Sequence, residues 1–313
     1  MMSVATSGNR EKRSAALSSV VAAVFLTSMK VVVGLLTNSL GILAEAAHSG
    51  LDLVAALVTF FSVRKSDQPP DDNHLYGHGK VENLSALVET GLLLATCVWI
   101  IYEAIQRLFF RVVEVDASLW AFLVMAISIV VDLSRSRILK RAAVKYNSQA
   151  LEADALHFST DIWSSSVVIL GLLGVVLAER NPRMAFLHRA DAFAALGVAL
   201  IVIYVSVQLG RRCVDGLMDA APAGLAGAIQ RAVEAIPGVA DCHQVRVRTS
   251  GARVFVDLHA TFSGARSLED VHRQTEAIEA AVWDLEPRAD VTVHPEPIDS
   301  RTDSGWGPVN LPR

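Results

Sequence analysis

Apolar residues run almost unbroken through six stretches, at about 15–36, 39–63, 83–107, 117–139, 150–178 and 191–212. Each is long enough for the roughly 20 helical residues that cross a bilayer core, so the pattern predicts six membrane spans. Past Arg212 the pattern changes. Leu225 to Ile236 has helical spacing, Pro237-Gly238 breaks it, and alternating runs follow at about 242–249 and 252–262. A second amphipathic helix is expected over roughly 268–284 and a last short strand from Val291 to His294. The order α-β-β-α-β predicts a small α+β domain with helices on one face of a sheet. The expected division is a segment 1–14, a six-helix domain 15–212, a small domain 213–299 and a disordered tail 300–313, where Gly305, Gly307, Pro308 and Pro312 fall.

Composition supports that division. The 313 residues are 52% hydrophobic and 19% charged, with a mean hydropathy of +0.40, a balance that points to an integral membrane protein with a smaller polar part. Basic residues near the span ends set the expected orientation. Arg10, Lys12, Arg13, Arg64, Lys65, Lys80, Arg135, Arg137, Lys140, Arg141, Lys145, Arg211 and Arg212 outnumber Arg107, Arg111, Arg180, Arg183 and Arg189 on the other side, which puts both termini in the cytoplasm. The first apolar stretch is longer than a signal-peptide core and reads as a span. The net charge of −4 and the lack of a basic, aromatic-interleaved surface argue against nucleic acid. Cys97, Cys213 and Cys242 form no C-x-x-C pair, and Cys242 beside His243 reads as a bystander thiol.

The informative polar positions lie inside the apolar stretches. His48-Ser-Gly-Leu-Asp52 and His157-Phe-Ser-Thr-Asp161 repeat one pair of ionisable groups four residues apart. That spacing puts both side chains on one helix face, about 6 Å apart along the axis. Charged or hydrogen-bonding groups in hydrocarbon cost several kcal/mol, so such pairs face a shared interior site. The second and fifth spans run in opposite senses, which sets His48 level with Asp161 and Asp52 level with His157. Two imidazoles and two carboxylates suit tetrahedral Zn²⁺ and also accept Co²⁺, Cd²⁺ or Fe²⁺. The competing account makes these groups interhelical polar glue, bonded to Ser49 or Ser159.

Two further groups have the chemistry of metal ligands. In the loop Asp71-Asp72-Asn73-His74-Leu75-Tyr76-Gly77-His78, the glycine lets the backbone fold tightly enough for Asp71, His74 and His78 to converge on an ion; a solvated polar loop is the alternative. Gly79-Lys80 lacks the rest of a phosphate-binding loop. In the small domain, His259 faces away from Val254, Val256 and Leu258, while His294 and Glu296 share one side of their strand. With His243 and His272 they are candidates to gather at an edge, against scattered surface histidines as the alternative. Lys30, Glu45, Glu89 and Asp132 read as structural, with Lys30 pairing Glu45 or snorkelling and Asp132 meeting Arg135, whereas Asp154, three residues before His157, is a candidate for an ion entry path.

Three motifs carry a resemblance: Asn38-Ser39-Leu40 leading into Ala47-His48-Ser49-x-x-Asp52, Tyr76-Gly77-His78-Gly79-Lys80-x-Glu82, and Ala153-Asp154-x-x-His157-x-x-x-Asp161. Through them residues 13–299 resemble the cation diffusion facilitators. The resemblance implies six spans, a metallochaperone-like cytoplasmic domain, and a homodimer in the bacterial inner membrane that exports divalent metal in exchange for protons. It implies that His48, Asp52, His157 and Asp161 are the transport site and that Asp71, His74 and His78 form a loop site. It further implies that His243, His259, His272, His294 and Glu296 form a dimer-bridging regulatory site, and that Lys80 and Asp219 pair to link loop and domain. The chain departs from some bacterial relatives in having His48 where they have Asp, and Glu296 stands where Asp is more familiar.

Zn²⁺ is the leading cargo, with Fe²⁺ or a broad range including Co²⁺, Cd²⁺ and Mn²⁺ as the runner-up. All-oxygen shells favoured by Mg²⁺ and Ca²⁺ do not match this ligand set. An intramembrane metalloenzyme is the first rival class, but there is no His-Glu-x-x-His motif and no spare general base beside the pairs. A metal-sensing receptor is the second, and it leaves the intramembrane pairs unexplained.

Overall fold

The computed structural model describes residues 2–37, 40–109, 119–180, 187–263 and 267–298. The predicted tail 300–313 and the Asn38-Ser39 part of the first motif lie outside the described residues. Two compact units emerge, dividing between Val214 and Asp215.

The first unit is a bundle of six helices: α1 (Met2–Thr37), α2 (Leu40–Ser66), α3 (Lys80–Phe109), α4 (Leu119–Tyr146), α5 (Gln149–Arg180) and α6 (Leu187–Leu217). None of the ten prolines falls within them; Pro69-Pro70 lies between α2 and α3 and Pro182 between α5 and α6. The helices overrun the apolar stretches because their polar ends, such as Arg137 to Lys145 on α4, continue the same hydrogen-bonded turn into polar surroundings. Over the described residues, α1, α2, α3 and α6 are long and apolar enough to cross a membrane.

The unit is arranged for lipid. Leu17, Phe25, Leu51, Trp99, Trp163 and Tyr204 point outward, while Ser19, Lys30, Thr59, Glu89 and Asp154 are buried. Small residues such as Ala16, Ala143, Ala150 and Ala155 line the core beside Val63, Leu139 and Phe158, letting backbones approach closely. Gly34 on α1 shows how close: a Cβ there would stand 2.8 Å from the Leu43 side chain and 3.2 Å from its backbone nitrogen on α2.

The second unit follows the expected order, with α7 (Leu225–Glu234), β1 (Val239–Ser250), β2 (Arg253–Phe262), α8 (Leu268–Leu285) and β3 (Ala289–Pro297). The sheet order is β1-β2-β3, antiparallel for the first pair and parallel for the second, with α8 as the crossover. Gly251, at φ 60°, makes the tight turn between β1 and β2. Ile229 and Val233 of α7 and Ile278 and Val282 of α8 bury one sheet face, against Val254, Val256, Leu258 and Ala260. β3 is longer than the four residues predicted because it pairs with β2 along its whole length; Pro295 and Pro297 are tolerated on this edge strand. Trp283 Nε1 donates to the Ala289 carbonyl at 3.0 Å and ties α8 to the start of β3.

Candidate metal centre

α2 and α5 bring the repeated motifs together. His157 Nε2 is 2.9 Å from Asp52 Oδ1 and 3.7 Å from Asp161 Oδ2. Ligand atoms of Asp52, His157 and Asp161 all lie within 4.8 Å of one another, against about 3.3 Å for the edges of a tetrahedron with ~2 Å bonds. His48 stands one step outside, with Nε2 at 4.0 Å from Asp52 Oδ1 and 3.9 Å from Asp161 Oδ1. It borders a cavity of about 80 Å³ shared with Lys30, Asp52, Asp132, Arg135 and Asp161. The two serines are bonded elsewhere: Ser49 Oγ accepts from Lys30 at 2.8 Å and Ser159 pairs with Ser136 at 2.7 Å. The four motif groups face each other instead.

The loop cluster is built by a local turn. Asp71 Oδ1 accepts from the amides of Asn73 and His74 at 3.1 and 2.7 Å, and Gly77, at φ 80°, turns the chain back so that its amide reaches the His74 carbonyl at 2.9 Å. His74 Nδ1 then lies 3.1 Å and His78 Nε2 3.2 Å from the Asp71 carboxylate. Desolvation works to raise the Asp71 carboxyl, but the His74 ring, the two amides and the His78 ring outweigh it and hold the group below its usual range. The His78 side chain is 3% exposed and neither ring nitrogen makes a well-formed hydrogen bond among the described residues, a cost that a bound cation would offset.

In the second unit the sheet register aligns three histidines across three strands: His243 pairs with His259, and His259 with His294. A bulge between His243 and Arg246, with Gln244 at φ 50°, shifts the strand so that both the histidine row and the apolar residues beyond it keep their faces. Glu296 reaches into the row, 2.8 Å from His259 Nδ1, 3.3 Å from His243 Nε2 and 3.8 Å from His294 Nε2. His272 does not join it. α8 packs on the opposite, apolar face of the sheet, and His272 is exposed there beside Glu276 at 3.5 Å. Cys242 faces the core, where burial pushes its thiol up to about 12, so it stays a protonated apolar filler.

Several polar contacts were not foreseen. Asp241, two residues before His243 and on its face, lies 2.9 Å from His243 Nδ1 and orients the ring; the i, i+2 spacing was the available signal. Lys12 bonds both Asp67 at 3.0 Å and Glu82 at 2.8 Å, and Ser148 donates to Glu82. Glu89 accepts from Thr59, and Asp154 accepts from Ser19 at 3.0 Å. Of the contacts that were foreseen, Lys30 meets Glu45 at 3.2 Å and Arg135 meets Asp132 at 3.4 Å. Lys80 opens α3 in the first unit, and Asp219, at φ 61°, follows α6 in the second.

Residues 16–218 match the cation efflux transmembrane domain and residues 222–298 the cytoplasmic domain of cation efflux proteins. The cation-efflux pump FieF of Cronobacter sakazakii is 31% identical over 284 residues, covering 90% of this chain and 92% of that protein. FieF of Yersinia enterocolitica is 31% identical over 288 residues, covering 91% and 92%. A solved copper form of the MamM C-terminal domain aligns with 26% of this chain and 89% of its own at 25% identity and a TM-score of 0.23. With both domains matched in order and an apolar helical unit enclosing carboxylate and imidazole groups, the chain belongs to the cation efflux, or cation diffusion facilitator, family of membrane transporters.

Proposed function

We propose that this protein exports Zn²⁺ from the cytoplasm in exchange for protons, with His48, Asp52, His157 and Asp161 holding the ion in transit. The observation that carries the reading is the convergence of Asp52, His157 and Asp161, with His48 at the rim, inside the helical unit. Metal ligation requires neutral imidazole and ionised carboxylate, so protons and metal compete for the same groups. Exposing the site alternately to the two sides then couples inward proton flow to outward metal flow. The excess of Lys and Arg on one side of the spans supports cytoplasmic termini in a bacterial inner membrane.

The loop cluster of Asp71, His74 and His78 is a second metal site on this reading. The row His243, His259 and His294 with Glu296 is a regulatory one that joins two copies of the chain. His272, on the other side of its own sheet, contributes to such a site only from a second copy. Metal there biases the dimer between arrangements of different closure.

Metal uptake into proteoliposomes under an imposed pH gradient tests the proposal, comparing Zn²⁺, Fe²⁺, Mn²⁺ and Cd²⁺ for the natural chain and Asp161→Ala. The expected result is gradient-driven Zn²⁺ uptake that the substitution abolishes. Uptake of Fe²⁺ without Zn²⁺ would keep the exchange and replace the cargo, and uptake indifferent to the pH gradient would refute proton coupling.

A further inference from the structure

The cavity beside the paired motifs holds more charge than the motifs supply. Four carboxylates line it, from Glu45, Asp52, Asp132 and Asp161, and so do two cations, Lys30 and Arg135. Each cation is matched to an acid the motifs do not use. Lys30 Nζ lies 3.2 Å from Glu45 and bonds Ser49 at 2.8 Å. Arg135 directs one amino group at Asp132 Oδ1, 3.4 Å away, and the other donates to Ser19 Oγ at 2.9 Å. Ser19 in turn donates to Asp154 at 3.0 Å, and the guanidinium lies 3.4 Å from the centroid of the Phe158 ring, next in sequence to His157. Arg135 is 4% exposed. It is a buried charge held from three directions and therefore a fixed one.

A cation in the wall of a cation site opposes binding. At an effective dielectric near 20, a unit charge within about 10 Å of a dication changes its affinity by roughly a hundredfold or more. Without Lys30 and Arg135, the four carboxylates would have charge enough for two dications, and would release either slowly. Among the groups that line the cavity, with each cation balanced by its own acid, the charge left over is that of Asp52 and Asp161, which one dication neutralises.

We propose that Arg135, paired with Asp132 and anchored through Ser19 and Phe158, is a charge-setting residue of the membrane site, limiting it to one dication and keeping that ion releasable. The proposal rests on the reading of His48, Asp52, His157 and Asp161 as the transport site. Arg135 acts through the field in the cavity, so it is a positioning residue and not a ligand.

The test is equilibrium dialysis of the full-length protein against Zn²⁺, in a background where Asp71→Ala and His259→Ala remove the other two clusters. The background protein should bind one ion per chain. Asp132→Asn, which leaves Arg135 unbalanced, should weaken binding at least about a hundredfold. Arg135→Gln should tighten it by a similar factor and admit a second ion at high Zn²⁺, and the double substitution should return affinity close to the background value. Arg135→Lys, which keeps the charge, should leave affinity nearly unchanged. Lys30→Gln removes the other cation and should also tighten binding, so a folding failure of Arg135→Gln still leaves the proposal open to refutation.

If Asp132→Asn and Arg135→Gln both weaken binding and the double variant is no better, the pair is structural and the proposal is overturned. Affinities that do not move overturn it equally. Asp161→Ala separates the two levels of the argument. Lost binding in that variant with unmoved Arg135 variants refutes charge setting alone, whereas binding that survives it refutes the transport site and this inference together.

Discussion

Individual side chains in the helical unit are held by partners far away in sequence. Lys12 is 7% exposed and lies between Asp67 and Glu82, whose side chains are 4% and 3% exposed. Lys12→Met should leave the buried Glu82 carboxylate without its cation, while Asp67 keeps Arg13 at 3.1 Å, and cost about 3 kcal/mol, read as a lower thermal midpoint in detergent. The sequence marked Lys12 only as one of several basic residues at a span end, because its partners are 55 and 70 residues away. The paired motifs were legible for the opposite reason. Four-residue spacing is a local property of a helix, so His48 with Asp52 and His157 with Asp161 declared a shared face before any packing was known. The row His243, His259 and His294 was half legible: strand alternation showed which face each occupied, but only the register across three strands made them neighbours.

At the scale of elements, apolar length was enough to announce six helices, and their ends were not, since polar turns extend each helix beyond its apolar core. The close passage of α1 and α2 depends on one position. Gly34→Ala should force Leu43 and its backbone apart and cost about 1–3 kcal/mol, measured by thermal unfolding, whereas Gly91→Ala, with open space around it, should not. In the second unit, Ser267 caps α8 and Asp270 sits in its first turn. The Ser267 hydroxyl, then Arg273, hold the Asp270 carboxyl below its ordinary value. A depressed folded value means that this contribution is complete above the ordinary carboxylate range and is lost as pH falls through the depressed value. Amide exchange in the first turn of α8, measured relative to the intrinsic rate at each pH, should therefore accelerate on acidification. In Asp270→Asn it should be faster at neutral pH and show less of that acid dependence.

For the whole molecule, lipid-facing apolar surface surrounds a polar interior in one unit, and a sheet bearing a histidine row forms the other. If the row joins two copies, Zn²⁺ should shorten spin-label distances between their C-terminal units, and chelation should reverse the change. His259→Ala and His272→Ala should each weaken the response, and an unaltered response in both would reject the bridging role. Sequence alone determined that the chain spans a membrane, that a small α+β domain follows, and that two helices present matched imidazole and carboxylate pairs. These follow from hydrophobic length and from periodicities of 3.6 and 2, which are written along the chain itself. Tertiary structure alone decided that Arg135 joins Ser19 and Phe158 in the wall beside those pairs, that Asp241 orients His243, and that His272 stands apart from the other histidines. Such contacts depend on helix rotation, packing distance and strand register, which arise only when distant segments bury their surfaces against one another.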